Sequence, residues 1–157
     1  MDTIVKKEIE AFIVKTKTLV ISAIDKNGIP ILKGVTKLGN DGWKAIYFCT
    51  SPNSAFFKWY IKNPLVSVYL FDDDPNTPYP SENEKYYALS LIGTMESVQN
   101  AEIKKRFLSE YLLKFYPDGV NDKNYHLIRF VTHSGKYYRG VTDNFLTLDF
   151  AASPDVK

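Results

Sequence analysis

The segment YFCTSPNSAFFKWYIKNP, residues 47–64, places a polar corner between an apolar run and an aromatic run. The apolar run that ends at Thr50 predicts a strand, and the aromatic run predicts a helix. Ser51 suits the N-cap of that helix and Pro52 its first position. The helix is expected to end near Asn63-Pro64, because a residue before proline disfavours the α region. The corner is either an ordinary cap or a helix start that holds an anion.

The composition indicates one folded domain. The chain has 157 residues, of which 45% are hydrophobic and 15% aromatic, enough to bury a core. A formal net charge of +2 gives no electrostatic reason to expect nucleic acid or an anionic membrane as a partner. The single cysteine cannot form an intramolecular disulfide, so we expect a cytoplasmic protein. We expect one domain over residues 1–150 and a disordered tail over 151–157.

The pattern of apolar residues predicts six to seven antiparallel strands and about three helices. The predicted strands cover residues 18–25, 29–38, 43–50, 65–72, 85–98, 125–140 and 145–150, and the predicted helices 3–15, 52–63 and 100–116. Asn27-Gly28 predicts a tight turn, and the first three strands are expected to form a meander. Gly93 predicts a β-bulge, and residues 73–84 predict a polar loop. The fold class is therefore mainly β, a barrel with flanking helices.

The polar corner collects groups that suit an anion. A helix start carries unpaired N–H groups and partial positive charge, and Thr50, Ser51 and Ser54 add hydroxyls. Lys58 follows Ser54 by one helical turn, and Lys33 on a neighbouring predicted strand can supply a second charge. The alternative, a capping serine beside solvated lysines, is the commoner occurrence.

Four segments, in their order along the chain, resemble the flavin-binding split-barrel family of pyridoxamine 5′-phosphate oxidase-like proteins. They are NGIPILKGV (27–35), YFCTSPNSAFFKWYIKNPLVSV (47–68), LSLIGTMESV (89–98) and LIRFVTHSGKYYRG (127–140). The resemblance extends from about residue 5 to residue 150. Within the family, the chain is most similar to the general stress protein and nitroimidazole-resistance branches.

The resemblance implies an FMN-binding split barrel that forms a homodimer, with FMN at the subunit interface and a small molecule as electron donor or acceptor. No nucleic acid and no membrane is implied. The implied phosphate-binding positions are Lys33, Thr50, Ser51, Ser54 and Lys58. The positions whose backbone is implied to border the isoalloxazine ring are Gly34, Val35, Phe48 and Cys49. Tyr138 is implied to approach the flavin of the partner subunit.

Three departures from the family pattern narrow the expected function. Phe56 stands where the family often has a lysine, and Lys33 stands where it has an arginine. Lysine keeps the positive charge of arginine but cannot bind a phosphate through two parallel hydrogen bonds. The Arg-x-His-Asp stretch that binds pyridoxamine phosphate is missing, so that substrate is not expected. The resemblance leaves an FMN-dependent oxidoreductase of unknown substrate, or a non-catalytic flavin- or haem-binding stress-response protein. A purely structural dimer is the third alternative.

The remaining candidate residues carry less weight. His126 and His133 are not expected to form a metal pair, and Cys49 is expected to be an inert thiol. The chain also has more aromatic residues than a small barrel core can hold, which favours a dimer. Those expected in excess of the core are Tyr47, Phe48, Tyr69, Tyr86, Tyr87, Tyr137 and Tyr138.

Overall fold

The computed structural model describes residues 3–71, 87–139 and 145–149. Its strands are β1 (Thr18–Ile24), β2 (Pro30–Thr36), β3 (Gly39–Asp41), β4 (Ala45–Thr50), β5 (Leu65–Phe71), β6 (Tyr87–Ser97), β7 (His126–Arg139) and β8 (Phe145–Asp149). Its α-helices are α1 (Thr3–Lys15), α2 (Ala55–Lys62), α3 (Ala101–Arg106) and α4 (Glu110–Leu113). The predicted mainly β class is confirmed. The predicted loop 73–84 and tail 151–157 lie outside the described residues.

The strands form one curled antiparallel sheet. Their order is β2-β1-β5-β6-β7-β4-β3, and β8 pairs with β7. β2 and β4 are not neighbours in this order, yet Lys33 on β2 reaches Thr50 on β4. The sheet therefore bends until these two strands approach each other, which is the half-closed form of a split barrel.

The predicted meander of the first three strands is wrong. The β1–β2 hairpin forms, and Gly28 supplies the positive φ of +80° that its turn requires. The next long strand, β4, pairs with β7 and not with β2, and the short strand β3 forms between β2 and β4 and pairs with β4. The physical reason is burial: residues 45–48 of β4 are all buried, so this strand needs cover on both faces.

The predicted single helix over residues 100–116 is divided into α3 and α4. The ring of Phe107 stacks on Tyr47 with centroids 4.3 Å apart, and the Ser109 hydroxyl accepts the N–H of Leu112 at 3.3 Å to cap a second helix. Tyr111 and Phe115, which helical spacing predicts on the apolar face of a single helix, remain 64% and 59% exposed. The packing of Phe107 on β4 therefore interrupts the single helix that the periodicity predicts.

Two cores lie on opposite faces of β4. The main core packs α1 and α2 against the inner face of the sheet, and Phe48 and Phe130 are fully buried in it. The second core packs α3 and α4 against the outer face of β4 and β7. Because successive side chains alternate between faces, the end of β4 is held with Thr50 facing inward and Cys49 facing outward.

The bulge predicted at Gly93 is confirmed. The register between β6 and β7 shifts between Ile92 and Gly93. A Cβ atom at Gly93 would lie 2.1 Å from the carbonyl oxygen of Val131, so no other residue fits there without a backbone shift.

The predicted excess of aromatic residues is wrong for Tyr47, Phe48 and Tyr137. All three are buried within the chain, with exposed fractions of 3% or less. Tyr69, Tyr87 and Tyr138 are half-buried, and Tyr86 lies outside the described residues. None of the described helices has the length and apolar character needed to cross a membrane.

Candidate functional site

The polar corner joins the end of β4 to the start of α2, and its cap is Ser54. The Ser54 hydroxyl accepts the N–H of Phe57 at 3.1 Å, and the helix begins at Ala55. The predicted cap at Ser51 is wrong, because Ser51 begins a turn whose carbonyl accepts the N–H of Ser54 at 3.1 Å. Pro52 consequently lies in that turn and not in the first helical position.

Three of the predicted phosphate-binding residues come together at this corner. The ammonium of Lys33 lies 3.5 Å from the Thr50 hydroxyl, and that hydroxyl lies 3.3 Å from the Ser54 hydroxyl. Thr50 is buried, while Lys33 and Ser54 are half-buried. These three residues, called the corner triad below, offer an ammonium and two hydroxyls in one connected row. Such a row suits the oxygens of a phosphate or a carboxylate.

Phe56, which stands where the family often has a lysine, packs its ring against the Lys33 ammonium of the triad. Its ring is buried, and the Lys33 ammonium lies 5.5 Å from its centroid. A cation at this distance from an aromatic face is attracted by the ring quadrupole. Phe56 in place of the family lysine therefore removes one positive charge, and its ring helps to position the remaining charge, the Lys33 ammonium.

The backbone at Gly34 lies open beside the corner. Gly34 is exposed, and a Cβ atom at this position would meet no atom of the described residues within 4 Å. Its φ is not positive, so neither crowding nor backbone conformation requires glycine here. The next residue, Val35, turns its side chain into the main core. The strand therefore presents bare main chain to any planar group or second chain that approaches.

Phe48 and Cys49 place their side chains away from the corner triad. Phe48 is fully buried in the main core. The Cys49 sulfur lies 3.7 Å from the Tyr116 hydroxyl in the second core. Burial raises the pKa of the Cys49 thiol, and burial with the neighbouring thiol raises the pKa of Tyr116 to about 12. The thiol is therefore protonated at neutral pH, which agrees with the expected lack of reactivity.

The other predicted site residues, Ser51, Lys58 and Tyr138, lie outside the row of side chains that forms the triad. Ser51 is exposed in the turn, and Lys58 lines a groove toward the end of α2. Tyr138 packs against Phe145 with ring centroids 5.9 Å apart. On the sheet, Tyr138 pairs with Ala88 of β6. Tyr138 lies two positions after Lys136 on β7. Whether these residues and the backbone positions contact FMN stays a prediction.

His126 lies at the corner, a position that the sequence did not indicate. It pairs with Thr50 across the β4–β7 ladder, so the two side chains share a face. The His126 ring meets the Phe57 ring edge-on at 4.5 Å, and its Nε2 lies 2.9 Å from the Ser97 hydroxyl. Burial, with Lys104 nearby, lowers the pKa of His126. Only the pairing of β4 with β7 reveals this proximity.

No metal centre is evident in the part of the chain that the structure describes. No group of three or more His, Cys, Asp or Glu side chains there could hold an ion. His126 and His133 make separate hydrogen bonds, to Ser97 and Thr94 respectively.

The chain belongs to the pyridoxamine 5′-phosphate oxidase family, whose sequence pattern it matches over residues 5–139. This confirms the resemblance to the pyridoxamine 5′-phosphate oxidase-like family found in the sequence. No curated protein sequence matches the chain.

Three solved structures are similar to this chain over most of their length. A protein from Clostridium acetobutylicum related to general stress protein 26 of Bacillus subtilis is 23% identical, with a TM-score of 0.77, covering 96% of this chain and 97% of its own. General stress protein 26 from Bacillus anthracis is 22% identical, with a TM-score of 0.68, covering 92% and 98% respectively. The haem storage protein HutZ from Vibrio cholerae is 16% identical, with a TM-score of 0.61, covering 91% and 94%. At these identities the likeness establishes the fold alone.

Proposed function

We propose that the protein binds FMN and acts as a flavin-dependent oxidoreductase on a small molecule other than pyridoxamine phosphate. The observation that carries this proposal is the corner triad, where Lys33, Thr50 and Ser54 form one row of donors. The family membership supports a flavin over an arbitrary anion, because the triad falls at the family's implied phosphate-binding positions.

The residues of the corner fit a phosphate monoester. The Lys33 ammonium supplies a full positive charge, and the Thr50 and Ser54 hydroxyls supply directed donors. The start of α2 adds the positive end of a helix dipole. The open backbone at Gly34 leaves room for a planar ring. FMN, when bound, supplies the redox chemistry, and these residues anchor and orient it.

We further propose that a second copy of the chain completes each site. Leu32, Ser22, Ser67 and Ile92 follow one another across four strands of the outer sheet face. Leu32 is 68% exposed and Ile92 is 45% exposed, an apolar surface that monomers generally cover. The next row on this face begins at Gly34, so a dimer here would close over the open backbone.

Within that dimer, Tyr138 is the proposed contribution of each subunit to the flavin site of the other. Tyr138 pairs with Ala88 and, through it, with Phe71, which places it on the same outer face as Gly34. We also propose that the protein works in a reducing, cytoplasmic setting, because Cys49 is a free cysteine.

The second candidate function is non-catalytic binding of haem or flavin. Two solved structures of the same fold are described as haem-binding or haem-storing proteins, one from Mycobacterium smegmatis and HutZ from Vibrio cholerae. The corner favours neither group by shape alone, since a haem propionate can take the same donors as a phosphate. The open backbone at Gly34 would likewise accept either planar ring.

The visible spectrum of the purified protein separates these candidates. A flavin spectrum, or a rise in melting temperature with added FMN that exceeds the rise with added riboflavin, supports the first. A Soret band after haem addition, without any response to FMN, supports the second. Oxidation of a reduced nicotinamide cofactor by the FMN-loaded protein, at a rate above that of free FMN, would establish turnover. A lack of response to both ligands contradicts both proposals.

A further inference from the structure

A groove lies at the other end of α2 from the corner triad. It has a volume of about 420 Å³, within the usual range of small-molecule sites. Ile24 and Trp59 contribute apolar surface, and Lys26, Lys58 and Lys62 contribute positive charge. These five residues define what is called the lysine groove below. Lys62 follows Ser54 by eight residues, or about 12 Å along the helix axis.

Positive charge at the groove is not balanced by the helix that carries it. Lys58 and Lys62 are four residues apart on α2, where like charges repel, and α2 contains no acidic residue. Lys26 approaches from the β1–β2 hairpin. The whole chain carries a formal net charge of only +2, so this convergence is not the result of a generally basic composition.

Asp25, which also lines the groove, already serves the hairpin turn. One oxygen of its carboxylate accepts the N–H of Asn27 at 2.7 Å and that of Ile29 at 2.9 Å. This carboxylate offsets part of the lysine charge and fixes the turn from which Lys26 extends. Three ammonium groups with one engaged carboxylate leave a net attraction for an anion with several negative charges.

The apolar side of the groove selects among such anions. Trp59 is half-buried because it packs on the main core, and Ile24 is 37% exposed; both line the groove. An indole face stacks well on planar aromatic rings. The groove therefore combines a surface for a flat ring with cations for phosphates.

We propose that the lysine groove binds a nucleotide, with its base against Trp59 and its phosphates among Lys26, Lys58 and Lys62. The proposal does not rest on FMN binding, because the groove and the corner triad share no residue. Lys58 lines the groove although it follows Ser54 by only one turn, so the test relies on Lys26 and Lys62, which lie further from the corner triad in sequence.

The test uses adenosine diphosphate as the probe and tryptophan fluorescence as the signal. The chain has two tryptophans, so Trp43→Phe leaves Trp59 as the only reporter. We expect adenosine diphosphate to quench Trp59, and Lys26→Gln and Lys62→Gln each to weaken binding about tenfold, the effect of one lost charged contact. Lys105→Gln, an exposed lysine on α3, is the matched control and should leave the affinity unchanged.

Calorimetry on the wild-type chain repeats the measurement without the tryptophan substitution. Adenosine and pyrophosphate, each carrying half of the proposed ligand chemistry, should both bind more weakly than adenosine diphosphate. The proposal is overturned if adenosine diphosphate does not bind, if Lys26→Gln and Lys62→Gln bind it as tightly as Lys105→Gln does, or if pyrophosphate binds as tightly as the nucleotide.

Discussion

The two ends of α2 present two different ways of attracting an anion. At its start, short side chains of Thr50 and Ser54 are held in one row by contacts with each other and with Lys33. At its end, Lys58 and Lys62 extend long side chains from exposed positions. Directed hydroxyls select a ligand by geometry, whereas ammonium groups act as point charges. The first end is therefore expected to be the more selective and the second the more sensitive to salt.

The largest effect is expected from a substitution that damages the support of the whole helix. Phe56 is buried, lies under Lys33 and contacts Tyr60 with ring centroids 6.4 Å apart. Phe56→Ala should lower the free energy of unfolding by about 3 to 5 kcal/mol, the usual cost of such a cavity. Denaturant unfolding measures this change.

Ile61→Ala provides the matched control on the same helix. Ile61 is 55% exposed, and its truncation should change the free energy of unfolding by less than about 0.5 kcal/mol. Equal losses for the two variants would contradict the description of α2 as a helix packed on its Phe56 face.

A smaller effect, confined to the start of α2, is expected at Ser54. Ser54→Ala removes the acceptor of the Phe57 N–H and should lower the free energy of unfolding by about 1 kcal/mol. FMN affinity should fall with it, while the affinity of the lysine groove for adenosine diphosphate should not change.

Ser51→Ala is the control for the cap, because the Ser51 hydroxyl accepts the N–H of Asn53 in the preceding turn and not an N–H of the helix. It should cost less than about 0.5 kcal/mol. If Ser51→Ala proved the more destabilising of the two, the helix would start where the sequence had predicted and not at Ala55.

The smallest effect concerns pH. Burial and Lys104 lower the pKa of His126, so the unfolded chain takes up this proton at a higher pH than the folded chain. Stability should therefore fall as the pH decreases below the ordinary histidine pKa of about 6.5. His126→Gln, which can keep a hydrogen bond to Ser97, should show a shallower loss between about pH 7.5 and about pH 5.5.

His133→Gln removes an exposed histidine on the same strand and is recorded alongside as the control for the loss of a histidine. The slope is read from unfolding curves recorded across the pH range. Identical slopes for His126→Gln and the wild type would show that His126 does not carry the pH dependence.

The sequence predicted the elements of this fold better than their arrangement. Apolar periodicity predicted the first helix, Asn27-Gly28 predicted the hairpin and Gly93 predicted the bulge, because each of these features depends on neighbouring residues. The pairing of β4 with β7 joins residues that are 76 (Thr50 and His126) to 86 (Ala45 and Val131) positions apart and has no local signal. The break between α3 and α4 likewise follows from Phe107 docking on Tyr47.

The same distinction separates the parts of the candidate site. Thr50 and Ser54 are close in sequence, and a known family pattern indicated Lys33, so the corner triad could be predicted. His126 and the lysine groove could not, because cross-strand pairing and the approach of the β1–β2 hairpin to α2 create them. The support of Lys33 by Phe56 was also missed, since the sequence showed only a lost lysine.

The central claim is that the corner triad holds the phosphate of FMN, and the ratio of riboflavin to FMN dissociation constants tests it most directly. In the wild type, FMN should bind at least about a hundredfold more tightly than riboflavin, since charge-assisted contacts to phosphate contribute strongly. Combining Lys33→Met with Thr50→Val should bring the ratio close to one while riboflavin affinity stays the same. A wild-type ratio near one, or a large ratio that persists in the double variant, would contradict the account.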